Sequence, residues 1–284
     1  MPKIFSRLPA ILLGGLLVAT LAACAKPPDK AAFVEQVAAE ARKSLPGSTV
    51  TLTPAKTVQV RYADGRIVAS NLDDLWRQCT NDPKICEAAR AKAVKNFLQA
   101  ASRPAVRRDQ VLAMIKTRAW IDNARKDGGS PIVRPFIGDL WKVYILDFPD
   151  GMRVLDPSDL KTLKLTEDEL DVLAISNLDR QLTAFPHMPV EEGSPVRVLR
   201  VGDSYESARL LLHYRWRGLA GEVKGDLLAS APNRDAVYFV GSGESPETLL
   251  TFRLRMKELS RTEAYPLSPQ ILRWTAGRWV VQSE

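Results

Sequence analysis

A short apolar run near the N-terminus determines where the folded part of this chain begins. Lys3 and Arg7 precede the apolar segment 8–20, LPAILLGGLLVAT, and two alanines follow at 22–23. A cationic start, a short apolar run and small residues at its end are typical of a secretory signal peptide. The run has 13 residues, whereas a helix that spans a bilayer needs about 20. We therefore predict that residues 1–23 are a cleaved signal peptide and form no permanent membrane span.

The four residues at 21–24, Leu-Ala-Ala-Cys, resemble the lipobox of bacterial lipoproteins. In such proteins the chain is cut before the cysteine, and acyl chains are attached to the cysteine thiol and to the new amine. Several acyl chains anchor a protein stably, at about 0.8 kcal/mol for each buried methylene. The resemblance implies that Cys24 is lipidated and that residues 24–28 form a tether. The alternatives are an ordinary cleaved signal with a chance cysteine, and an uncleaved anchor.

The residue after this cysteine and the charge of the mature chain bear on location and partners. Ala25, in place of an aspartate, is similar to the lipoproteins that Gram-negative bacteria send to the outer membrane. We therefore expect an outer-membrane lipoprotein that faces the periplasm, with the membrane as its first partner. Loss of Lys3 and Arg7 lowers the formal net charge from +7 to +5. This charge suits lipid headgroups, a cell-wall polymer or an envelope protein, but an ordinary solvated surface also explains it.

Two further cysteines predict a disulfide bond. Paired cysteines form disulfides in oxidising compartments such as the bacterial envelope. Cys79 and Cys86 flank Asn81-Asp82-Pro83, whose composition predicts a turn between two helices. The bond would then join the end of one helix to the start of the next. A metal site is the competing interpretation, but it needs more ligands nearby, and His187 and His213 are distant in sequence.

The pattern of apolar residues predicts the fold class. The first 23 of the 284 residues belong to the signal, and the remaining 261 suffice for one large domain or two small ones. Helical and strand patterns follow one another without regular β-α-β order, which predicts an α+β fold with mostly antiparallel strands. We divide it into an N-terminal helix and strand region at 29–104 and a larger α+β domain at 105–284.

Local signals set the limits of several helices. Lys30–Ser44 has helical periodicity, and Asn71 is expected to cap a short helix that extends to Gln78. Thr166-Glu167-Asp168-Glu169 has the form of a capping box, in which a threonine and a glutamate three residues later bond to each other's backbone. Further on, 205–213 predicts a helix and 218–225 a break.

Four stretches of the larger domain carry a resemblance to a known family. These are VYILDFPDGMRVLD at 143–156, AISNL at 174–178, GDSYESARLLL at 202–212 and GDLLASAPNRDAVYFV at 225–240. In their order and spacing they resemble the YtpQ-like family of bacterial proteins, a domain of unknown function, over about residues 111–281. Because that family has no established reaction, the resemblance implies a fold and no mechanism.

The same resemblance singles out six polar residues at the ends of predicted elements. As a candidate polar cleft they are Asp147, Asp156, Asn177, Asp203, Asn233 and Asp235. Asparagine and aspartate beside turns often bond to their own backbone. Their positions therefore have a structural explanation as well as a functional one, and no catalytic role is assigned to any of them.

No motif after the predicted lipidation site indicates catalysis or a cofactor. The chain has neither of the glycine-rich patterns that bind nucleotides, and no serine stands in a Gly-x-Ser-x-Gly pattern. We therefore expect no cofactor and no metal. The basic segment 103–108 contains no aromatic residue, and nucleic acid is not expected as the partner of a periplasmic protein.

Three functions remain open for this sequence. The first is a non-enzymatic binding or assembly module for an envelope partner. The second is a periplasmic hydrolase that uses carboxylates or His213, and the third is a carrier of a small apolar ligand. A broad exposed apolar patch would favour the first. Convergent carboxylates, or a histidine backed by a carboxylate, would favour the second, and a closed apolar cavity the third.

Overall fold

A computed structural model describes residues 29–53, 56–70, 72–102, 105–149, 151–182, 184–263 and 265–283. The predicted signal peptide and tether, including Cys24, lie outside these residues. Across the described segments, no helix combines the length and the apolar character that a membrane span requires. These segments form an α+β fold of eight α-helices and thirteen strands in three antiparallel sheets, which confirms the predicted fold class.

The N-terminal region has a hydrophobic core of its own. Its elements are α1 (Lys30–Ser44), β1 (Thr49–Leu52), β2 (Val58–Arg61), β3 (Ile67–Ser70), α2 (Asp73–Asn81) and α3 (Cys86–Ser102). The strands form a three-stranded sheet with β2 in the centre. Buried residues from Phe33 to Phe97 pack in one cluster, while the clusters of the remaining chain start at Val111. The two cores thus lie on either side of the predicted boundary at 104.

The helix α2 begins differently from the prediction. Leu72 occupies the N-cap position and makes no side-chain cap, and Asn71, the predicted cap, lies outside the described residues. Asp73 and Asp74 stand in the first turn instead. Their negative charges interact favourably with the positive end of the helix dipole.

The cysteine pair connects α2 to α3 as the sequence predicts. Cys79 and Cys86 lie at disulfide distance, with their Cα atoms 4.4 Å apart. Between them, the side chain of Asp82 accepts a hydrogen bond from the backbone N–H of Lys84 and starts a single turn of 3₁₀ helix at Pro83–Ile85. Both cysteines are buried in the N-terminal core.

The larger region contains two sheets. Its elements are β4 (Val111–Thr117), α4 (Arg118–Lys126), β5 (Val133–Ile137), β6 (Leu140–Phe148), β7 (Gly151–Val154), α5 (Pro157–Leu163), α6 (Glu167–Gln181), β8 (Met188–Pro189), β9 (Arg197–Leu199), α7 (His213–Ala220), β10 (Leu227–Asn233), β11 (Ala236–Gly241), α8 (Pro246–Thr262), β12 (Leu272–Thr275) and β13 (Arg278–Val281). In one sheet β6 pairs with β4, β5 and β7. The other has the order β13-β12-β10-β11-β9-β8. The capping box at the start of α6 is present as predicted.

A cluster of aromatic rings fixes the segment before α7 to the second sheet. Trp216 packs edge-on against Trp279 and Phe239, with ring centroids 5.2 and 6.0 Å apart. The indole N–H of Trp216 donates to the carbonyl of Arg209 at 2.8 Å, and that of Trp279 donates to the carbonyl of Leu210 at 3.0 Å. Buried indole groups need such partners, and here the partners are the backbone of one short segment.

The predicted α-helix at 205–213 is wrong, and the predicted break at 218–225 begins only at Gly221. The structure has a 3₁₀ helix at Ser207–Leu211, and Leu212, with φ −88° and ψ 64°, ends it. The helix α7 then runs through the start of the predicted break. Its buried residues Trp216 and Leu219 explain the difference, because burial of their side chains stabilises helix beyond what local propensity indicates.

Candidate functional site

A cavity of about 300 Å³ opens where the second sheet meets the segment that follows β9. Its lining residues are Arg200, Gly202, Ser204, Glu206, Asn233, Asp235 and Glu263. They come from the chain after β9, from the turn between β10 and β11, and from the end of α8. Elements that are distant in sequence therefore bring polar side chains to one place.

Glu206 is a fully buried carboxyl at this cavity, with 0% exposure. Its Oε1 atom accepts hydrogen bonds from the backbone N–H groups of Val201 at 2.9 Å and Gly202 at 2.5 Å. The loop can curve around the carboxyl because Gly202 and Ser204 adopt positive φ angles of 85° and 67°. The other oxygen, Oε2, receives no hydrogen bond from any N–H or hydroxyl group of the described residues.

Asp203 lies beside Glu206 and neutralises a buried arginine. The guanidinium of Arg209, which is 2% exposed, donates to both carboxylate oxygens of Asp203, at 3.0 and 2.6 Å. Burial alone would raise the pKa of Asp203, but the hydrogen bonds from Arg209 and from the backbone of Tyr205 outweigh it and hold the pKa below its usual value. Asp203 is thus the ionised partner of Arg209.

The carboxyl of Glu206 lies next to that of Asp203 and also contributes to the low pKa of Asp203. Its Oε2 atom accepts no hydrogen bond from the described N–H and hydroxyl groups, so this oxygen is left for a donor from outside the chain.

Asn233 presents an unpaired amide at the same cavity. The residue is 1% exposed, and its Oδ1 atom accepts a hydrogen bond from the backbone N–H of Asp235 at 2.9 Å. This bond fixes the orientation of the amide. Its Nδ2 atom has no acceptor within the part of the chain that the structure describes.

The remaining carboxylate in the turn between β10 and β11 has its own cation. Asp235 accepts hydrogen bonds from Nε and Nη2 of Arg234 at 2.6 and 3.2 Å. The guanidinium of Arg234 also lies over the ring of Tyr265, 3.6 Å from its centroid. This pair is held in place on two sides, and it leaves Glu206 as the buried carboxyl of the cavity.

The structure brings together part of the predicted polar cleft. Asn233 and Asp235 line the cavity, and Asp203 contacts Glu206 at its edge. Asp147 lies near the buried hydroxyl of Tyr205, whose pKa is raised by burial and by the Asp147 carboxylate. Four of the six predicted residues thus lie in or next to the segment that carries Glu206.

The other two residues of the predicted cleft have structural roles elsewhere. Asp156 caps α5, because its side chain accepts hydrogen bonds from the backbone N–H groups of Ser158 at 2.7 Å and Asp159 at 3.2 Å. The amide of Asn177 in α6 donates to the carbonyls of Arg108 at 2.7 Å and Val111 at 2.8 Å. Neither residue lines the cavity.

The two histidines are also engaged away from this cavity. His213 lies between the rings of Phe136 and Trp274, with centroid distances of 5.9 Å to each. Burial and the nearby Lys142 lower its pKa, which keeps the ring neutral. His187 contacts the carbonyl of Phe185 with Nδ1 at 3.1 Å and lies between the charged groups of Arg197 and Glu222.

A second group of polar side chains in the larger region has all its hydrogen bonds satisfied. Lys142 donates to both oxygens of Asp171 at 2.5 and 2.6 Å, and the hydroxyl of Tyr144 donates to the same carboxylate at 2.7 Å. Because these groups bond to one another, they need no external partner. In the described ranges, no three acidic, histidine or cysteine side chains converge in a way that could hold a metal ion.

Sequence reasoning missed the central residue of the site. Glu206 stands in the stretch predicted as a helix at 205–213, where a glutamate is expected on the solvent side. The preceding Gly202-Asp203-Ser204 is the one signal that could have located it, because glycine, aspartate and serine favour a tight turn. Arg200 and Glu263 carried no sequence signal for a site.

Comparison with known proteins finds distant similarity to an uncharacterised family. The chain is 22% identical over 128 residues to the UPF0354 protein MW1686 of Staphylococcus aureus (strain MW2), and 21% identical over 128 residues to the UPF0354 protein SSP1020 of Staphylococcus saprophyticus. Each match covers 45% of this chain and 44% of the relative. The chain thus spans less than half the length of the curated relatives that it matches. No protein-family model and no solved structure matches the chain.

Proposed function

We propose that this chain is a lipid-anchored binding or assembly module of the bacterial envelope, on the periplasmic face of the outer membrane. Its folded part binds a polar ligand in the cavity at Glu206. The carrying observation is that Oε2 of Glu206 and Nδ2 of Asn233, both buried at this cavity, have no donor or acceptor among the described residues. The distant similarity to UPF0354 proteins supports the YtpQ-like family for residues 111–281.

The energetics of buried polar groups favour a ligand at this site. A buried donor or acceptor without a partner destabilises the fold by about 1–3 kcal/mol, and most such groups in folded proteins are paired. Two of them, one acceptor and one donor, lie at a single cavity here. A ligand with complementary groups would pair both atoms at once. Ligand binding therefore explains why these two buried polar groups are present, which folding alone does not explain.

Two features of the cysteines support the proposed location in the cell envelope. The signal peptide and the cysteine at its end supply what lipidation requires, a thiol presented after small residues. The cysteine pair of α2 and α3 lies at disulfide distance, and such bonds persist in oxidising compartments. Together they support an envelope protein that is anchored through Cys24.

A carboxylate hydrolase is the second candidate, on a separate observation. Glu206, Asp235 and Glu263 place three carboxyl groups at one cavity, and paired carboxyls are the groups that acid–base hydrolysis uses. The version that depends on His213 is not favoured, because that ring packs between two aromatic rings away from the cavity. The lining is charged and polar, so an apolar ligand fits this cavity poorly.

Metabolic labelling tests the anchor. Cells that produce the full chain are grown with an alkyne analogue of palmitate, and the purified protein is examined for the label. Wild type should be labelled and Cys24→Ala should not be. The double variant Cys79→Ser, Cys86→Ser is the matched control and should keep the label. Labelling of Cys24→Ala would contradict the proposed anchor.

Photocrosslinking in intact cells tests the cavity. A photoreactive phenylalanine derivative at Glu263, on the rim, should bond to the ligand and give a reproducible mass adduct on the peptide that contains residue 263. The same group at Val172, a 72% exposed position of α6, is the control and should not. Equal adducts at both positions, or none at Glu263, would contradict ligand binding. An adduct whose mass shows a cleaved ligand would instead support the hydrolase.

A further inference from the structure

The cavity is lined by more carboxyl groups than cationic groups, and its fully buried ionisable residue is an acidic one. Glu206, Asp235 and Glu263 carry carboxyl groups, whereas Arg200 is the cation among the lining residues. Asp235 is neutralised by Arg234. The guanidinium of Arg200 is exposed and contacts the hydroxyl of Tyr238 at 3.5 Å. The carboxyl of Glu206 is therefore the buried acidic group at the cavity that has no neighbouring cation within the described segments to neutralise it.

Glu206 has hydrogen bonds but no cation. Two backbone N–H groups donate to Oε1, and none of the ion pairs found among the described residues involves Glu206. A buried carboxylate is stable when it is paired with a positive charge. A cationic group of a ligand supplies both the charge and the missing donor.

The neighbouring amide adds a second requirement. Nδ2 of Asn233 is a donor without an acceptor among the described residues, so the ligand must also present an oxygen acceptor. An ammonium group has three donors and no acceptor, and a hydroxyl or carbonyl on the adjacent carbon accepts from the amide. A metal ion is disfavoured, because the described carboxyls do not form a set of ligands around one point.

We infer that the cavity at Glu206 recognises a small primary ammonium compound with an adjacent oxygen acceptor. The ammonium group binds Oε2 of Glu206, and the oxygen accepts from Nδ2 of Asn233. This inference rests on the proposed role of the cavity as a ligand site. The same chemistry occurs in free amino sugars and amino alcohols and in the ethanolamine headgroup of phospholipids, so the test includes a probe for each source.

Matched pairs of ligands test the inference without any mutation. Purified full-length protein in detergent is titrated calorimetrically with glucosamine and with glucose, which differ in one ammonium group. It is also titrated with glycerophosphoethanolamine and with glycerophosphocholine, whose quaternary ammonium donates no hydrogen bond. At least one primary ammonium compound should bind about tenfold more tightly than its counterpart, because charge-assisted hydrogen bonds are roughly twice as strong as neutral ones. The pair that shows the preference identifies the source.

Two variants link the preference to the buried carboxyl. Glu206→Gln keeps the size of the side chain and removes its charge, so the preference should fall about tenfold while the affinity for the neutral counterpart stays unchanged. Glu191→Gln, at an exposed position outside the cavity lining, is the matched control and should behave as wild type. If Glu206→Gln does not fold, Glu263→Gln at the exposed rim should still weaken the ammonium compound a few-fold.

The outcomes separate this inference from the proposed function. If the neutral or quaternary counterpart binds as tightly as the primary ammonium compound, or if Glu206→Gln keeps the full preference, the ligand class is wrong. An adduct at Glu263 in cells together with that result would leave the cavity as a binding site for other chemistry. If neither titration nor crosslinking detects a ligand, both the inference and the proposed function fall.

Discussion

The ion pair between Asp203 and Arg209 gives a prediction whose size can be worked out from the structure. Arg209 is 2% exposed, and its two terminal nitrogens both bind Asp203, at 3.0 and 2.6 Å. Asp203→Ala leaves that guanidinium buried without a counter-charge, a change that destabilises proteins by about 3–5 kcal/mol. The side chain of Asp203 is 30% exposed, so water can enter the space that the variant leaves and partly solvate Arg209. We therefore expect the lower end of this range, about 3 kcal/mol.

Urea unfolding followed by tryptophan fluorescence measures this loss, because Trp216 and Trp279 are buried beside the segment. The midpoint should fall with an unchanged slope, since the change affects stability and not the surface exposed on unfolding. Asp168→Ala removes an 88% exposed partner of Arg134 and should leave the free energy of unfolding nearly unchanged. Adding Arg209→Met to Asp203→Ala should restore at least half of the loss. Equal losses in Asp203→Ala and Asp168→Ala would refute the reasoning.

The pH dependence of the same variant has a definite sign. The pKa of Asp203 is lower in the folded protein than its usual value, so the folded state holds this proton less strongly than the unfolded state. The stabilisation is fully present above the unfolded pKa of about 3.9 and is lost as the pH falls through the folded value. The difference between wild type and Asp203→Ala should therefore stay constant near neutral pH and narrow only below about pH 4.

Three further predictions concern stability. Burial and the nearby Arg234 lower the pKa of Lys116 from 10.5 to about 8. Lys116→Met should therefore raise the free energy of unfolding by about 2 kcal/mol at pH 7, and this gain should shrink above about pH 8. A gain that does not change with pH would contradict the prediction. Cys79→Ser with Cys86→Ser should lower the free energy of unfolding by about 2 kcal/mol, because the disulfide bond is lost. Thiol titration of the unreduced, denatured wild type should find no free thiol at these two positions, and two free thiols would contradict the bond. Asn177→Ala should lower the free energy of urea unfolding by about 2 kcal/mol, because the buried carbonyl of Val111 and the partly buried carbonyl of Arg108 lose their donor. A loss near zero would contradict that role.

Local signals predicted much of the fold because they act within a few residues. The helix α1 has the predicted limits, Lys30–Ser44, since the side chain of Asp29 accepts from the N–H of Ala32 at its start. The capping box at Thr166 and Glu169 is equally local. The segment 205–213 could not be predicted this way, because its conformation depends on two indole groups that come from α7 and from β13.

The candidate site was only partly predictable for a related reason. Asn233 and Asp235 stand beside a turn, where polar residues attract notice in a sequence. Glu206 does not, because its burial depends on a loop that curves over it and on the turn between β10 and β11, more than 25 residues away along the chain. A glutamate is seldom fully buried without a partner, so sequence patterns assign it to the surface.

Hydrogen-bond satisfaction distinguishes Asp156 and Asn177 from the two buried polar residues of the cavity. Asp156 and Asn177 use their side chains on the backbone of this chain, and their bonds account for why they are polar. Glu206 and Asn233 each use one atom in that way and leave the other buried without a partner. The 3₁₀ helix that directly follows Glu206 is fixed by the indole N–H groups of Trp216 and Trp279, and the N–H groups of Val201 and Gly202 hold the carboxyl itself. A preorganised site avoids the ordering cost of binding, so these contacts favour specific binding of a small ligand.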